Sequence, residues 1–167
     1  DSLYAGIMID TNNFLTKTGV RTFEAAAFLR RCGADVTRVR KMFREHVEDY
    51  RAKGEAIRNA ELFREHFAIS VCPSEGLDSP TVVGAQAANE LLNIIGVKAS
   101  FVLTDYRNTI YISARSIDEI NVQIVMERLG GGGHLNIAGA QLEHYSITEA
   151  KDVLKQTLQK MLDEGDI

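Results

Sequence analysis

The stretch ERLGGGGHLNIAGAQL, Glu127 to Leu142, sets four consecutive glycines and a histidine between a helix-like run and an apolar one. One glycine after a helix is an ordinary left-handed cap. Four exceed what a cap needs, because every glycine surrenders extra chain entropy when it is ordered. A flexible linker carries Ser and Gly over a longer span, whereas LNIAGAQL follows at once with small and apolar residues suited to burial. Consecutive glycines let backbone N–H groups converge on an anion, and His134 adds a further donor. A ligand loop and a tight structural turn both remain open on these grounds. The absence of a lysine excludes a Walker A loop.

Working outward, TIYISAR (Thr109–Arg115) reads as a strand that ends in Arg115, followed by SIDE (Ser116–Glu119), a capping box opening a helix through Leu129. A guanidinium at a strand's end beside a helix start is well placed to grip a phosphate. The alternative is a plain ion pair with Asp118 or Glu119. Residues 119–129 as a helix span about 15 Å at 1.5 Å per residue. Arg115 and the glycines therefore lie at opposite ends of a site unless the loop folds back.

The rest of the chain alternates helix and strand signals. GIMID (Gly6–Asp10) reads as a buried strand ending in a carboxylate, which is either a metal or acid–base group or a turn cap. FEAAAFLRR is helical with Gly33 as its stop, and Asp35 to His66 carries two helical patterns, the second long. FAISVCP is a strand. Ser79–Pro80 starts a helix that stops at Gly96, KASFVLT and TIYISAR form a hairpin around DYRN, and SITE (Ser146–Glu149) caps a final amphipathic helix. The alternation is mixed α/β, and a break near residue 66 suggests two lobes.

Composition narrows the function. The net charge of −4 disfavours a broad basic face for duplex DNA. Cys32 and Cys72 match no metal spacing and read as buried thiols of a cytosolic protein. His46 and Asp49 lack a third ligand and read as surface residues. No apolar run approaches the roughly 20 residues needed to span a bilayer. The first residues lack the basic and apolar regions of a signal peptide. Their abrupt start in a strand-like run suggests a piece of a longer chain.

GIMIDTNNF, TGVRTFEAAAFLRRCGAD and SARSIDEINVQIVMERLGGGGH together resemble the DHH-family phosphoesterases with their DHH-associated C-terminal domain, in particular the GdpP-type cyclic-di-AMP phosphodiesterases. The resemblance covers nearly the whole chain. It departs from the family pattern at Ile137, where the motif after GGGH has alanine, and the family's earlier His-x-x-x-Asp-x-Asp and Asp-His-His motifs are absent. The resemblance implies residues 1–46 as a remnant of the DHH lobe, 47–65 as a linker helix and 66–167 as the associated substrate-binding domain. It implies a two-manganese centre in the full-length enzyme, to which Asp10 contributes one ligand, while the fragment itself is metal-free and inactive. It implies substrate contacts from Ser113, Arg115, Gly131, Gly132, Gly133 and His134. The partners implied are a cyclic or linear dinucleotide, the upstream part of the same catalytic domain and, as an option, a second copy in a homodimer. The parent would be anchored in the membrane with this part on the cytoplasmic side. A nanoRNase-type enzyme acting on short RNA and a noncatalytic nucleic-acid-binding module are the alternatives.

Overall fold

The computed structural model describes every residue of the chain except Asp118. It divides into two compact units, Asp1–Glu45 and His46–Ile167.

The first unit is three helices: α1 (Ser2–Asp10), α2 (Val20–Arg31) and α3 (Val36–Met42). The run GIMID, expected as a strand, lies inside α1. A strand leaves its N–H and C=O groups to be satisfied by a neighbour, and no other segment of this unit is extended. The helix satisfies them internally instead. Asp10 is consequently the exposed last residue of α1 and not the end of a buried strand. The Asp35 carboxylate caps α3, accepting from the N–H groups of Thr37 and Arg38. Those bonds hold its carboxyl below the ordinary aspartate value, with the Arg38 N–H contributing most.

The second unit is built on one six-stranded mixed sheet, in the order β1-β2-β3-β4-β6-β5. The strands are β1 (Glu61–Phe63), β2 (Phe67–Cys72), β3 (Ala99–Tyr106), β4 (Thr109–Ser116), β5 (Gly132–His134) and β6 (Ile137–Glu143). Among the described residues only β2 and β3 pair in parallel, joined through α5 (Pro80–Leu91). Helices α4 (Val47–Arg58) and α5 cover one face, packing Ala52, Ala56, Val83, Ala87 and Leu91 on Ala68, Cys72 and Val102. On the other face α6 (Val122–Arg128) and α7 (Ile147–Glu164) bury Val125, Met126, Leu154, Leu158 and Met161 against Phe101, Leu103, Ile110 and Ile112. The mixed α/β fold expected from the alternating signals is the one observed.

Several local expectations resolve differently. Of the 47–65 stretch expected as a linker helix, α4 ends at Arg58 and Glu61–Phe63 is a strand. Arg64 and Glu65 take left-handed φ values of 50° and 64°, turning the chain so that Phe63 pairs with Phe67. The capping box expected at Ser116–Glu119 does not form. Ser116 belongs to β4, its hydroxyl donates to Asn136 Oδ1, Glu119 pairs with Lys98 at 2.6 Å, and Asn121 caps α6 in its place. The later box does form, with the Ser146 hydroxyl accepting from the Glu149 N–H and the Glu149 carboxylate accepting from the Ser146 N–H. The β3–β4 hairpin turns on Arg107 and Asn108, both left-handed, as a tight two-residue hairpin requires.

Candidate functional site

Strand alternation builds the site. In β4, Ile110, Ile112 and Ala114 point into the α6–α7 core, so Thr109, Tyr111, Ser113 and Arg115 stand on the opposite face. In β6, Ala138, Ala140 and Leu142 are buried, which sends Ile137, Gly139 and Gln141 to that same opposite face. Helix α5 closes this face over β2 and β3, where the Ser100 hydroxyl donates to Ala88 O at 2.6 Å. Beyond β3 the face opens. A cavity of about 460 Å³ lies there, lined by Thr81 of α5, by Tyr111 and Ser113 of β4, by Gly130–Gly132, and by Gly139 and Gln141 of β6. That volume falls within the roughly 300–1,000 Å³ range of small-molecule sites.

The glycine run is not a loose loop. Gly130, at φ 77°, ends the helix that α6 begins, and the following residues return along the sheet as β5, pairing with β6. A Cβ on Gly131 would sit 2.1 Å from Gly139 O and 2.7 Å from Ala140 Cα. On Gly133, at φ 149°, it would sit 2.5 Å from Ala138 Cα. Both contacts are with backbone, so neither position has room for a side chain. Gly132 differs: a Cβ there meets nothing within 4 Å, because it would project into the cavity. Ser113, Gly139 and Gly132 are register partners across β4, β6 and β5. They make a flat floor almost free of side chains. Ile137, the departure from the family motif, is 52% exposed on the open face, while Ala138, beneath Gly133, is buried. The extra bulk therefore stands on the open face, between the positions of Arg115 and His134.

Arg115 and His134 stand in the adjacent row, each paired in register with Ile137. Two ladder steps of about 4.8 Å put their backbones roughly 10 Å apart. The loop has folded back, and the two ends of the Arg115–His134 segment meet across β6. The Arg115 guanidinium donates from Nε to Asn89 Oδ1 at 3.0 Å and from Nη1 to Ala114 O at 2.9 Å. Burial draws its pKa below the usual arginine value, yet a guanidinium stays a cation at any physiological pH. The alternative pairing with Glu119 does not occur, since that carboxylate engages Lys98; Asp118 lies outside the described residues. Arg115 and His134 flank the cavity, and Ser113, Gly131 and Gly132 line it.

Asp10 belongs to the first unit. Among the described residues no group of three or more His, Cys, Asp or Glu side chains comes together to hold a metal ion. A two-manganese centre needs several ligands per ion, so the residues present do not fit one. No described helix is long and apolar enough to cross a membrane.

Thr81, Tyr111 and Gln141 line the cavity without having been singled out from sequence. The signal for two of them was available: they share the strand alternation that places Ser113 and Gly139.

Comparison with known proteins adds a family to this geometry. Residues 66–161 match the DHHA1 domain. The chain is 41% identical over 165 residues to the cyclic-di-AMP phosphodiesterase GdpP of Geobacillus thermodenitrificans, covering 98% of this chain and 25% of that protein. It is 42% identical over 154 residues to the cyclic-di-AMP phosphodiesterase PdeA of Listeria monocytogenes, covering 92% of this chain and 23% of that one. It thus spans about a quarter of the length of these curated relatives. Among solved structures, an exopolyphosphatase-related protein from Bacteroides fragilis superposes with a TM-score of 0.82 at 23% identity, covering 93% of this chain and 48% of its own. That likeness concerns the fold.

Proposed function

The chain belongs to the DHHA1 domain family, which it matches over residues 66–161, and from that premise we propose that it is the substrate-holding part of a phosphodiesterase that hydrolyses cyclic-di-AMP to linear diadenylate. The observation that carries this reading is the half-covered sheet face, where a floor of Ser113, Gly139 and Gly132 whose one side chain is a serine hydroxyl adjoins a row bearing Arg115 and His134. Similarity to cyclic-di-AMP phosphodiesterases at about two-fifths identity supports the choice of substrate.

In this reading Arg115 holds a phosphate of the dinucleotide by charge-assisted hydrogen bonds, which are roughly twice as strong as neutral ones. His134 and the Ser113 hydroxyl supply further donors, and the bare floor lets the ligand approach the backbone closely. Asn89 keeps the guanidinium aimed before ligand arrives, which lowers the cost of binding. The full-length enzyme would bring two manganese ions through residues upstream, with Asp10 as one ligand. Because this chain alone does not fit that centre, its share in the reaction is to bind and orient. We assign residues 1–46 to the end of the catalytic lobe and 66–167 to the substrate domain, within a membrane-anchored parent whose domain of this type faces the cytoplasm.

The test is calorimetry of the chain with linear diadenylate, alongside a manganese-dependent turnover assay. Wild type binds and Arg115→Ala loses at least tenfold in affinity, with no turnover by either. Binding that is unchanged in Arg115→Ala removes the reading. Manganese-dependent hydrolysis of cyclic-di-AMP by a clean preparation overturns the division of labour. Binding of short RNA in place of diadenylate transfers the site to an oligoribonuclease.

A further inference from the structure

We infer that the end of the cavity away from Arg115 is a base-reading site, in which Tyr111 stacks on a nucleobase and Gln141 selects adenine over guanine. The inference rests on the diadenylate reading of the same site and adds which residues take its adenine base and how.

Tyr111 and Gln141 are direct register partners on β4 and β6, and both line the cavity. Side chains opposite each other across an antiparallel pair have Cβ atoms about 5 Å apart, so one base can touch both. Four residues of strand separate Tyr111 from Arg115, which at about 3.4 Å each is roughly 14 Å. A 5′-nucleotide with its phosphate at the arginine extends its base along β4 toward the tyrosine. The Tyr111 ring is not alone: Tyr106, on the same face of β3, lies 6.5 Å away between centroids at 51°, and the Arg107 guanidinium sits 4.9 Å over the Tyr106 ring. This buttress restricts Tyr111 without covering its cavity side, which suits a stacking platform. The flat floor of Ser113, Gly139 and Gly132 leaves room for sugar and phosphate in between.

Gln141 is exposed at the cavity's edge. Its amide offers one acceptor and a donor pair in one plane. Adenine presents the complementary pair, an N6 donor beside the N7 acceptor, while guanine presents two acceptors there, O6 and N7. A glutamine can satisfy both atoms of adenine and only one of guanine. Thr81, from the first turn of α5, bounds the opposite wall with a hydroxyl that can serve either role.

The experiment titrates the intact 167-residue chain with 5′-AMP, 5′-GMP and ribose 5-phosphate, following amide shifts by NMR. Wild type binds AMP about tenfold more tightly than GMP, and both nucleotides more tightly than ribose 5-phosphate. Gln141→Leu erases the AMP–GMP difference, and Gln141→Arg reverses it, because an arginine satisfies the two guanine acceptors. Tyr111→Ala brings both nucleotides down to the ribose 5-phosphate level and leaves that level unchanged. Gly132→Leu, whose side chain would fill the cavity from a position free of backbone strain, abolishes all three. Equal affinity for AMP and GMP, or discrimination that survives Gln141→Leu, overturns this inference while Arg115-dependent phosphate binding leaves the functional reading standing. If none of the three ligands binds, this inference falls, while the diadenylate titration with Arg115→Ala decides the functional reading on its own.

Discussion

The two units put a similar proportion of apolar residues to very different ends. In His46–Ile167, Phe101, Ile69, Leu103, Leu154 and Met161 are fully buried and two helical layers close most of the sheet. In Asp1–Glu45 the buried hydrophobic residues are Ala5, Ala26, Ala34 and Val39, while Leu15 and Val20 are 77% and 76% exposed and Phe23 and Phe28 more than half. An apolar pattern becomes a core only where the topology supplies a second surface to face it. The same contrast explains the fate of the two strand-like runs. FAISVC finds β3 and β1 as ladder partners and is a strand; GIMID finds none and is a helix.

Truncating one aromatic in each unit is the bluntest way to break this comparison. Phe101→Ala should cost about 3–5 kcal/mol in chemical denaturation, as buried aromatics do, and Phe28→Ala should stay within about 0.5 kcal/mol. A comparable loss from Phe28→Ala would mean that the first unit has a core of its own. The two thiols sharpen the point, since each unit carries one: both were expected to be buried, but Cys32, at the end of α2 in the unit with little core, is exposed and only Cys72 is buried. Burial, with the Glu55 charge adding to it, pushes the Cys72 thiol up to about 11. At pH 8 its thiolate population alone is about a hundredfold below that of an ordinary cysteine. Iodoacetamide followed by mass spectrometry should find Cys32 labelled and Cys72 intact in the native protein, with the difference lost in denaturant.

Smaller effects distinguish the glycines. Gly131→Ala forces a methyl into the β6 backbone and should cost about 1–3 kcal/mol, whereas Gly132→Ala, open on the cavity side, should keep the denaturation midpoint near wild type. Equal loss at both positions would restore the picture of a generic turn. The mildest test concerns Glu61, which joins β1 to α7 through ion pairs with Lys155 at 2.8 Å and Lys151 at 3.0 Å. Burial tends to raise its pKa, but the two ammonium groups more than offset this and leave it below the ordinary 4.5. A depressed carboxylate contributes stability that is complete above its unfolded pKa and is lost as pH falls through the folded one. The Tm gap between wild type and Glu61→Gln should therefore be a degree or two near pH 7 and close below about pH 4.5. A gap that is constant with pH would assign the effect to packing.

Much of the second unit was readable from local signals. TIYISAR read as a strand ending in Arg115 and is β4, and Ser146–Glu149 announced α7 by a reciprocal cap that the structure forms. What misled was chemistry with two outlets. Ser116 and Glu119 had capping-box spacing, but a strand hydrogen-bonded to β6 reached Ser116 first, and Lys98 took Glu119. Glu61–Phe63 had helical apolar spacing, yet pairing with β2 made it a strand. In each case a long-range partner outbid a local preference, which propensity cannot foresee.

By itself the sequence determined the alternation of elements, the polar face of β4 and the motif spacing that marks the family. Those depend on residues near one another in the chain, where side-chain periodicity speaks directly. Only the tertiary structure decided that Gly132 and Gly133 lie in a strand rather than a loop. It alone brought Gly132 beside Gly139 and Ser113, and set Tyr111 opposite Gln141. Those relations exist because β5 and β4 both hydrogen-bond to β6, and strand pairing is a choice made between segments far apart in sequence. Each glycine then has its own reason, one ending a helix, two clearing a neighbouring backbone and one leaving the floor of a cavity open.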